Sequence, residues 1–369
     1  MGSSLSKEEV FSLLKKLSEG IGPSGNEGII RELVIDEVRK VADELRIDTL
    51  GNVIAVKKGS RGSGKLMLAA HMDEIGLFVS HIDDRGFLRI LPIGGIPERS
   101  LVYQRVVIKT RDGRVYRGVL GLKPPHVIKP EELRQIPEMK EFFVDVGASS
   151  REEVLNMGIR VGDIAVFDRE LSPLIGDRVT GKAIDDRVGL AVMLKSFEII
   201  ESPELDVYAV ATVQEEVGLK GAEVAAYSIT PDVALALDVT VASDFPGVSE
   251  HEWCTQLGKG PAIKVADGRS ASGLIAHPEV VKMLIKVAEE SGIPYQVEVL
   301  AGGTTDASVI ALNKEGVPAG VISIPSRYIH SPVEVVDLKD VLNAIKLTKA
   351  FAEKTTYEWV SSLKERRIK

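Results

Sequence analysis

Residues 214–218 read QEEVG, and they follow DVYAVATV, a run from Asp206 to Val213 that is almost wholly apolar. Two adjacent carboxylates at the mouth of a buried strand are candidates for chemistry. Four other segments carry residues of the same kind: His71 and Asp73 in KLMLAAHMDEIG, Asp185 and Asp186 in GKAIDDRVGL, Asp238 in DVALALDVT, and His330 in PSRYIHSP. His71, Asp73, Glu215, Glu216 and Asp238 each fall at or just past the carboxyl end of an expected strand, the edge at which open α/β sheets bind their ligands.

Taken singly, each residue has a plain structural role open to it. Asp185 or Asp186 would cap the helix that starts there, His71 would be a hydrogen-bonded core histidine, and Glu215 with Glu216 would make a solvated turn. Together they are harder to place, because several acids at one sheet edge repel one another and raise their own pKa values unless cations neutralise them. A divalent pair removes the repulsion. Zinc accepts imidazole nitrogen and carboxylate oxygen, and two ions about 3.5 to 4 Å apart need one carboxylate shared between them. Cobalt or manganese would suit the same ligands. The remaining histidines, His81, His126, His251 and His277, read as surface or structural, with His251 nearest in sequence to the Asp238 segment.

The elements that must position these residues follow from the apolar spacing. Residues 7–45 read as helix, loop, helix, with Ser24 or Asn26 available to cap the second helix. Strands are expected at Asn52–Val56 and Leu66–Ala70. From about Ile75 to Asp177 the chain breaks into short β-patterned pieces (GLFVSHI, GFLRILPI, RVVIKT, RVYRGVLG, EFFVDVG, DIAVF) separated by Gly, Pro and Asp-Gly turns, the mark of a small inserted β-barrel or sandwich. After Asp177 strand and helix alternate: helix Arg187–Ile200, strand Val207–Val213, strand Val233–Leu237, helix Pro278–Ser291, strand Ala319–Ile324, helix Leu338–Leu363. Continuous apolar strands between helices indicate an α/β layer with its sheet covered on both faces.

Composition narrows the class. The chain has 369 residues, 44% of them hydrophobic, enough for about two domains. A formal charge of −8 argues against general nucleic-acid binding, which needs clustered Lys and Arg. Cys254 is the single cysteine, so a metal site must draw on His, Asp and Glu. No apolar stretch has membrane length and the N-terminal segment lacks a signal-peptide core, so a cytoplasmic protein is expected. Five Asn and five Gln beside many Lys, Arg and Glu lean toward a thermophilic source.

The segments HMDEIG, AIDDRVG, QEEVGLKGA, ALDVT, GGTTDA and RYIHSP, in this order and with the β-rich insert after the first, resemble the tetrahedral (TET) aminopeptidases, co-catalytic dizinc exopeptidases of archaea and bacteria, over nearly the whole chain. The resemblance implies a mixed sheet covered by helices on both faces, with residues 1–75 and 177–369 forming a discontinuous catalytic domain and 76–176 an inserted β-barrel dimerisation domain. It implies one zinc on His71 and Asp238, a second on Glu216 and His330, Asp185 bridging them, Asp73 orienting the His71 imidazole, and a cis peptide between Asp185 and Asp186. Gly302, Gly303, Thr304, Thr305 and Asp306 match the family's substrate loop, with Thr304 where a third glycine is usual. Short peptides with a free N-terminus would be the substrates, and dimers would assemble into a tetrahedral dodecamer, with no nucleic-acid or membrane partner.

Successive side chains of an extended segment point to opposite faces, so the adjacent glutamates are expected to divide two tasks. Glu216 would ligate zinc. Glu215 would take a proton from the attacking water and pass it to the leaving amine. Other readings are a related metal-dependent amide hydrolase, such as a deacylase or carboxypeptidase-like enzyme, a glycan hydrolase, as some relatives have been described, or a non-catalytic binding module, against which a general base at Glu215 speaks.

Overall fold

The structure is a computed structural model and describes residues 5–127 and 135–364. The chain enters through helices α1 (Lys7–Glu19) and α2 (Gly28–Val38), then lays down strands β1 (Glu44–Ile47), β2 (Val53–Lys57) and β3 (Lys65–His71). It next builds β4 (Gly76–Ile82), β5 (Leu88–Ile93), β6 (Arg105–Lys109), β7 (Val115–Gly121), β8 (Phe143–Asp145) and β9 (Ile164–Phe167), with short helices α3 (Glu98–Leu101) and α4 (Arg151–Met157) between them. It returns with β10 (Ser172–Pro173), β11 (Arg178–Gly181), α5 (Ile184–Ile199), β12 (Asp206–Thr212), α6 (Lys220–Ile229), β13 (Val233–Val241) and β14 (Ala262–Ala266). The remainder is α7 (Pro278–Glu290), β15 (Gln296–Val299), α8 (Ala307–Ala311), β16 (Ala319–Arg327), β17 (Glu334–Asp337), α9 (Leu338–Lys354) and α10 (Tyr357–Ser362).

An 11-stranded sheet takes the order β1-β2-β12-β3-β13-β16-β17-β11-β10, with β14 pairing β16 and β15 pairing β14. At its centre β12, β3, β13 and β16 run parallel. The period of two in β3 shows why these strands are apolar throughout. Leu66, Leu68 and Ala70 pack under α1, α2, α5 and α9, while Met67 and Ala69 face Ala222 and Ala226 of α6 and Ile310 of α8. Both faces are dry, so no position alternates to polar. Trimming fully buried Leu68 to alanine would cost about 2 to 5 kcal/mol.

The intervening strands close a six-stranded barrel in the order β4-β5-β8-β7-β6-β9, whose strand pairs are antiparallel. Leu77 and Val79, Leu88 and Ile90, and Val106 and Ile108 point inward on alternate residues, and closure leaves no free strand edge. The inserted barrel expected from the six β-patterned pieces is thus present.

Some local expectations differ. The helix anticipated over Leu338–Leu363 is two helices, broken at Thr355 and Thr356, because the Thr356 hydroxyl accepts the Trp359 N–H at 3.2 Å and starts a new one. β13 does not stop at Asp238 but continues to Val241, which places Asp238 within the strand. No helix among the described residues is long and apolar enough to cross a membrane.

Candidate active site

The parallel centre of the sheet brings the five acid- and histidine-bearing segments to one edge. His71 is the last residue of β3, Glu215 and Glu216 follow β12, Asp238 is in β13, His330 follows β16, and Asp185 and Asp186 begin α5. The carboxylate of Asp185 lies between the two histidines, Oδ1 3.2 Å from His71 Nε2 and Oδ2 3.3 Å from His330 Nε2. Glu216 Oε2 is 3.3 Å from His330 Nε2, and Glu215 Oε2 is 3.9 Å from His71 Nε2. His71, Asp185 and Glu216 form one group with ligand atoms within 4.8 Å of one another, and His71, Asp186 and Asp238 a second.

Each histidine is held so that Nε2 faces this cage. His71 Nδ1 donates to the Asp73 backbone carbonyl at 3.1 Å, and His330 Nδ1 donates to the Gly95 carbonyl at 2.6 Å. A carbonyl partner fixes the proton on Nδ1 and leaves the Nε2 lone pair for a metal. Gly95 belongs to the segment after β5, so the barrel reaches the site although it supplies no cage side chain. Beside it Gly94 has φ +76°, and a Cβ there would come within 3.2 Å of Glu216 Cβ.

The adjacent glutamates are not on an extended segment. Gln214 takes a left-handed φ of 56° and the chain turns through Glu215 to Gly218. The separation of the two side chains comes from this turn and from Asp73, whose carboxylate accepts the Glu215 N–H at 3.0 Å, the Glu216 N–H at 3.2 Å and the Ser24 hydroxyl at 2.6 Å. Asp73 therefore meets His71 chiefly through its backbone, its own Oδ1 lying 3.6 Å from Nδ1. Ser24 is spent on Asp73 rather than on a helix cap, and α2 has no side-chain cap. At α5 Asp186 accepts the Gly189 N–H at 3.0 Å and the His71 N–H at 3.3 Å, while Asp185 lies between the two histidines. The Asp185–Asp186 peptide is cis.

Electrostatics test whether this set suits cations. Burial and the neighbouring Asp185 push Asp238 up to about 8. Burial, with Asp238, Asp306 and Glu216 adding to it, drives Glu215 well above the usual carboxylate range, and burial raises Glu216. Although burial opposes it, hydrogen bonds to Asp185 and Glu216 push His330 up to about 12. Protonation of Asp238, Glu215, Glu216 and His330 is thus favoured where no cation is bound, while Asp185, although burial opposes it, is held ionised by its hydrogen bonds to His330 and His71. Glu216 Oε1 is buried with no hydrogen-bond partner. A crowd of carboxylates and imidazoles with an idle buried oxygen is a donor set that divalent ions satisfy.

The cage opens on a cavity of about 600 Å³ lined by Val239, Val241, Leu300 and Ile329 and by Gly302, Gly303, Thr304 and Thr305. Asp306, the last residue of that loop, is buried behind it and accepts the Thr212 hydroxyl at 2.6 Å. Lys264, missed in the sequence, also lines the cavity and is 2% exposed, with Asp267 at 3.5 Å and Glu298 at 3.7 Å. Of the other histidines, His81, His126 and His251 are exposed, and His277 caps α7 through the Glu279 N–H at 3.3 Å.

The family model described as M42 glutamyl aminopeptidase matches residues 51–347. This chain belongs to the M42 aminopeptidase family. The M42 chain is 44% identical to a lysyl aminopeptidase of Pyrococcus furiosus over 93% of its own length and 96% of that protein's. It is similar in structure to an aminopeptidase from the archaeon Desulfurococcus kamchatkensis, with TM-score 0.96 and 62% identity over 98% of this chain and 99% of the other. It also resembles the TET1 peptidase of Pyrococcus horikoshii, which can assemble into a tetrahedron or a large octahedral shell, with TM-score 0.83 and 34% identity over 94% and 100% of the two chains. The TET resemblance read from the motifs stands, and M42 membership makes this protein an aminopeptidase of a metal-dependent family.

Proposed function

We propose that the protein removes N-terminal residues from short peptides at a dizinc centre. The observation that carries this reading is Asp185, whose two carboxylate oxygens face His71 on one side and His330 on the other. In this reading His71 and Asp238 hold one ion, Glu216 and His330 the other, and Asp185 is shared. Bound there, a pair of divalent cations would supply Lewis acidity, polarising the scissile carbonyl and easing deprotonation of water.

Glu215 does the proton work. Its side chain is 11% exposed and lines the cavity; with cations in the cage in place of its protons Glu215 would be ionised, and Oε2 would then take a proton from the attacking water and return it to the leaving amine. Asp73 keeps Glu215 and Glu216 at a fixed separation through their N–H groups. The 302–305 loop and the apolar wall receive the first residues of the peptide, and the acidic cage suits a free α-amine better than a blocked, neutral one.

The protein self-associates in this proposal, as dimers forming a tetrahedral dodecamer. Its support is the assembly of the Pyrococcus horikoshii relative and an apolar groove on α6 and α8 where Val224, Tyr227 and Leu312 are 43%, 67% and 81% exposed. The test of function is hydrolysis of a panel of aminoacyl amides and their N-acetylated forms by the zinc-loaded protein. Free amines should be cleaved and acetylated ones spared; equal rates would favour a deacylase or endopeptidase.

A further inference from the structure

Two buried carboxylates at this site each accept hydrogen bonds from the backbone N–H groups of two cage residues. Asp73 holds the N–H groups of Glu215 and Glu216. On the other side Glu334, the first residue of β17, does the same for a different pair: Oε2 accepts the Asp185 N–H at 2.9 Å and Oε1 accepts the His330 N–H at 2.9 Å. Glu334 is 2% exposed and does not line the cavity. We propose that Glu334 is a positioning residue that clamps the shared carboxylate of Asp185 and the imidazole of His330 in register, and so sets the affinity of the cage for its cations. The inference rests on the dizinc reading above.

Two independent features support it. Asp185 and His330 come from segments far apart in sequence, and Glu334 is the group that hydrogen-bonds to the backbone of both. His330 and Tyr328 also sit at left-handed φ values of 62°, a conformation that side chains other than glycine adopt at a cost, and the bond from the His330 N–H to Glu334 secures that turn.

The experiment compares wild type with Glu334→Gln, which can accept only one of the two N–H groups, and Glu334→Asp, which keeps the charge but is too short to span both. Each full-length protein is stripped of metal and titrated with zinc against a competing chelator, and thermal unfolding is followed with and without zinc. Zinc affinity at one site or both should fall about 10- to 100-fold, the usual scale for a partner that orients metal ligands. The zinc-induced rise in unfolding temperature should shrink with it. Equal loss of stability in the metal-free and zinc-loaded forms, with zinc affinity as in wild type, would make Glu334 a structural residue and overturn the proposal. Failure of both variants to fold with zinc present would overturn it equally. If wild type itself takes up no zinc, the dizinc reading falls and this inference with it; two zinc ions in wild type and in both variants, at equal affinity, would defeat this inference alone.

Discussion

The carbonyl of Gly95 accepts the Nδ1–H of His330 at 2.6 Å. A barrel that contributes no side chain to the cage thus decides which nitrogen of its last histidine is free. The neighbouring Gly94 needs to be glycine twice over, for its φ of +76° and for its approach to Glu216 and Ile75. Gly94→Ala is therefore expected to displace Glu216 and the Gly95 carbonyl together. Zinc stoichiometry and peptidase rate should both fall while the far-ultraviolet spectrum stays native; full metal occupancy and activity would show that the barrel segment only passes by the site.

The adjacent glutamates should fail differently. Glu215→Gln keeps size and hydrogen bonding but would remove the proposed base, so both ions should remain while turnover drops by about 10² to 10⁴. Glu216→Gln weakens a charged ligand, so metal content should fall along with activity. Metal analysis of each purified variant beside its rate is the measurement, and a reversed pattern would exchange the two roles.

Zinc should invert the pH dependence of stability. Asp238 at about 8 and His330 at about 12 have folded values above their unfolded ones, so the folded metal-free chain binds more protons than the unfolded chain. The stability they contribute is fully present below the unfolded values and is lost as pH rises toward the folded ones, so the metal-free protein should unfold at lower temperature near pH 8 than near pH 5.5, about 1.4 kcal/mol per unit at most for each group. Zinc displaces those protons, so its binding tightens as pH rises. Melting curves at both pH values, with zinc and with chelator, check the sign.

Lys264 should read the charge of the first side chain. The family description says glutamyl and the Pyrococcus furiosus relative is lysyl, whereas here Lys264 lines the cavity and its partners Asp267 and Glu298 do not. Nζ is paired with Asp267 at 3.5 Å and Glu298 at 3.7 Å, so removing it would leave two buried acids uncompensated beside the cavity. Lys264→Met should change the ratio of the specificity constants for lysine and glutamate amides by about tenfold or more in favour of lysine. An unaltered ratio would place Lys264 in the wall without a part in selection.

What the sequence determined by itself was whatever repeats locally. Apolar runs covered on both faces, helical periods between them and six short β pieces punctuated by turns dictate an α/β sheet with an inserted barrel, because each pattern reports the environment of its own segment. The rarity of His and the clustering of acids at strand ends singled out His71, Asp185, Glu215, Glu216, Asp238 and His330, which the fold brings to one edge. Tertiary structure alone decided how they are held. Ser24 was one of two candidate helix caps until Asp73 came within 2.6 Å of it, the cap at Asp185 or Asp186 was open on the residues alone until Gly189 and His71 bonded to Asp186, and Glu334 carried no signal beyond being one more acid. Each of those roles is a hydrogen bond or close contact between segments distant in the chain. Such contacts exist only after the sheet has closed, and no periodicity within either partner records them.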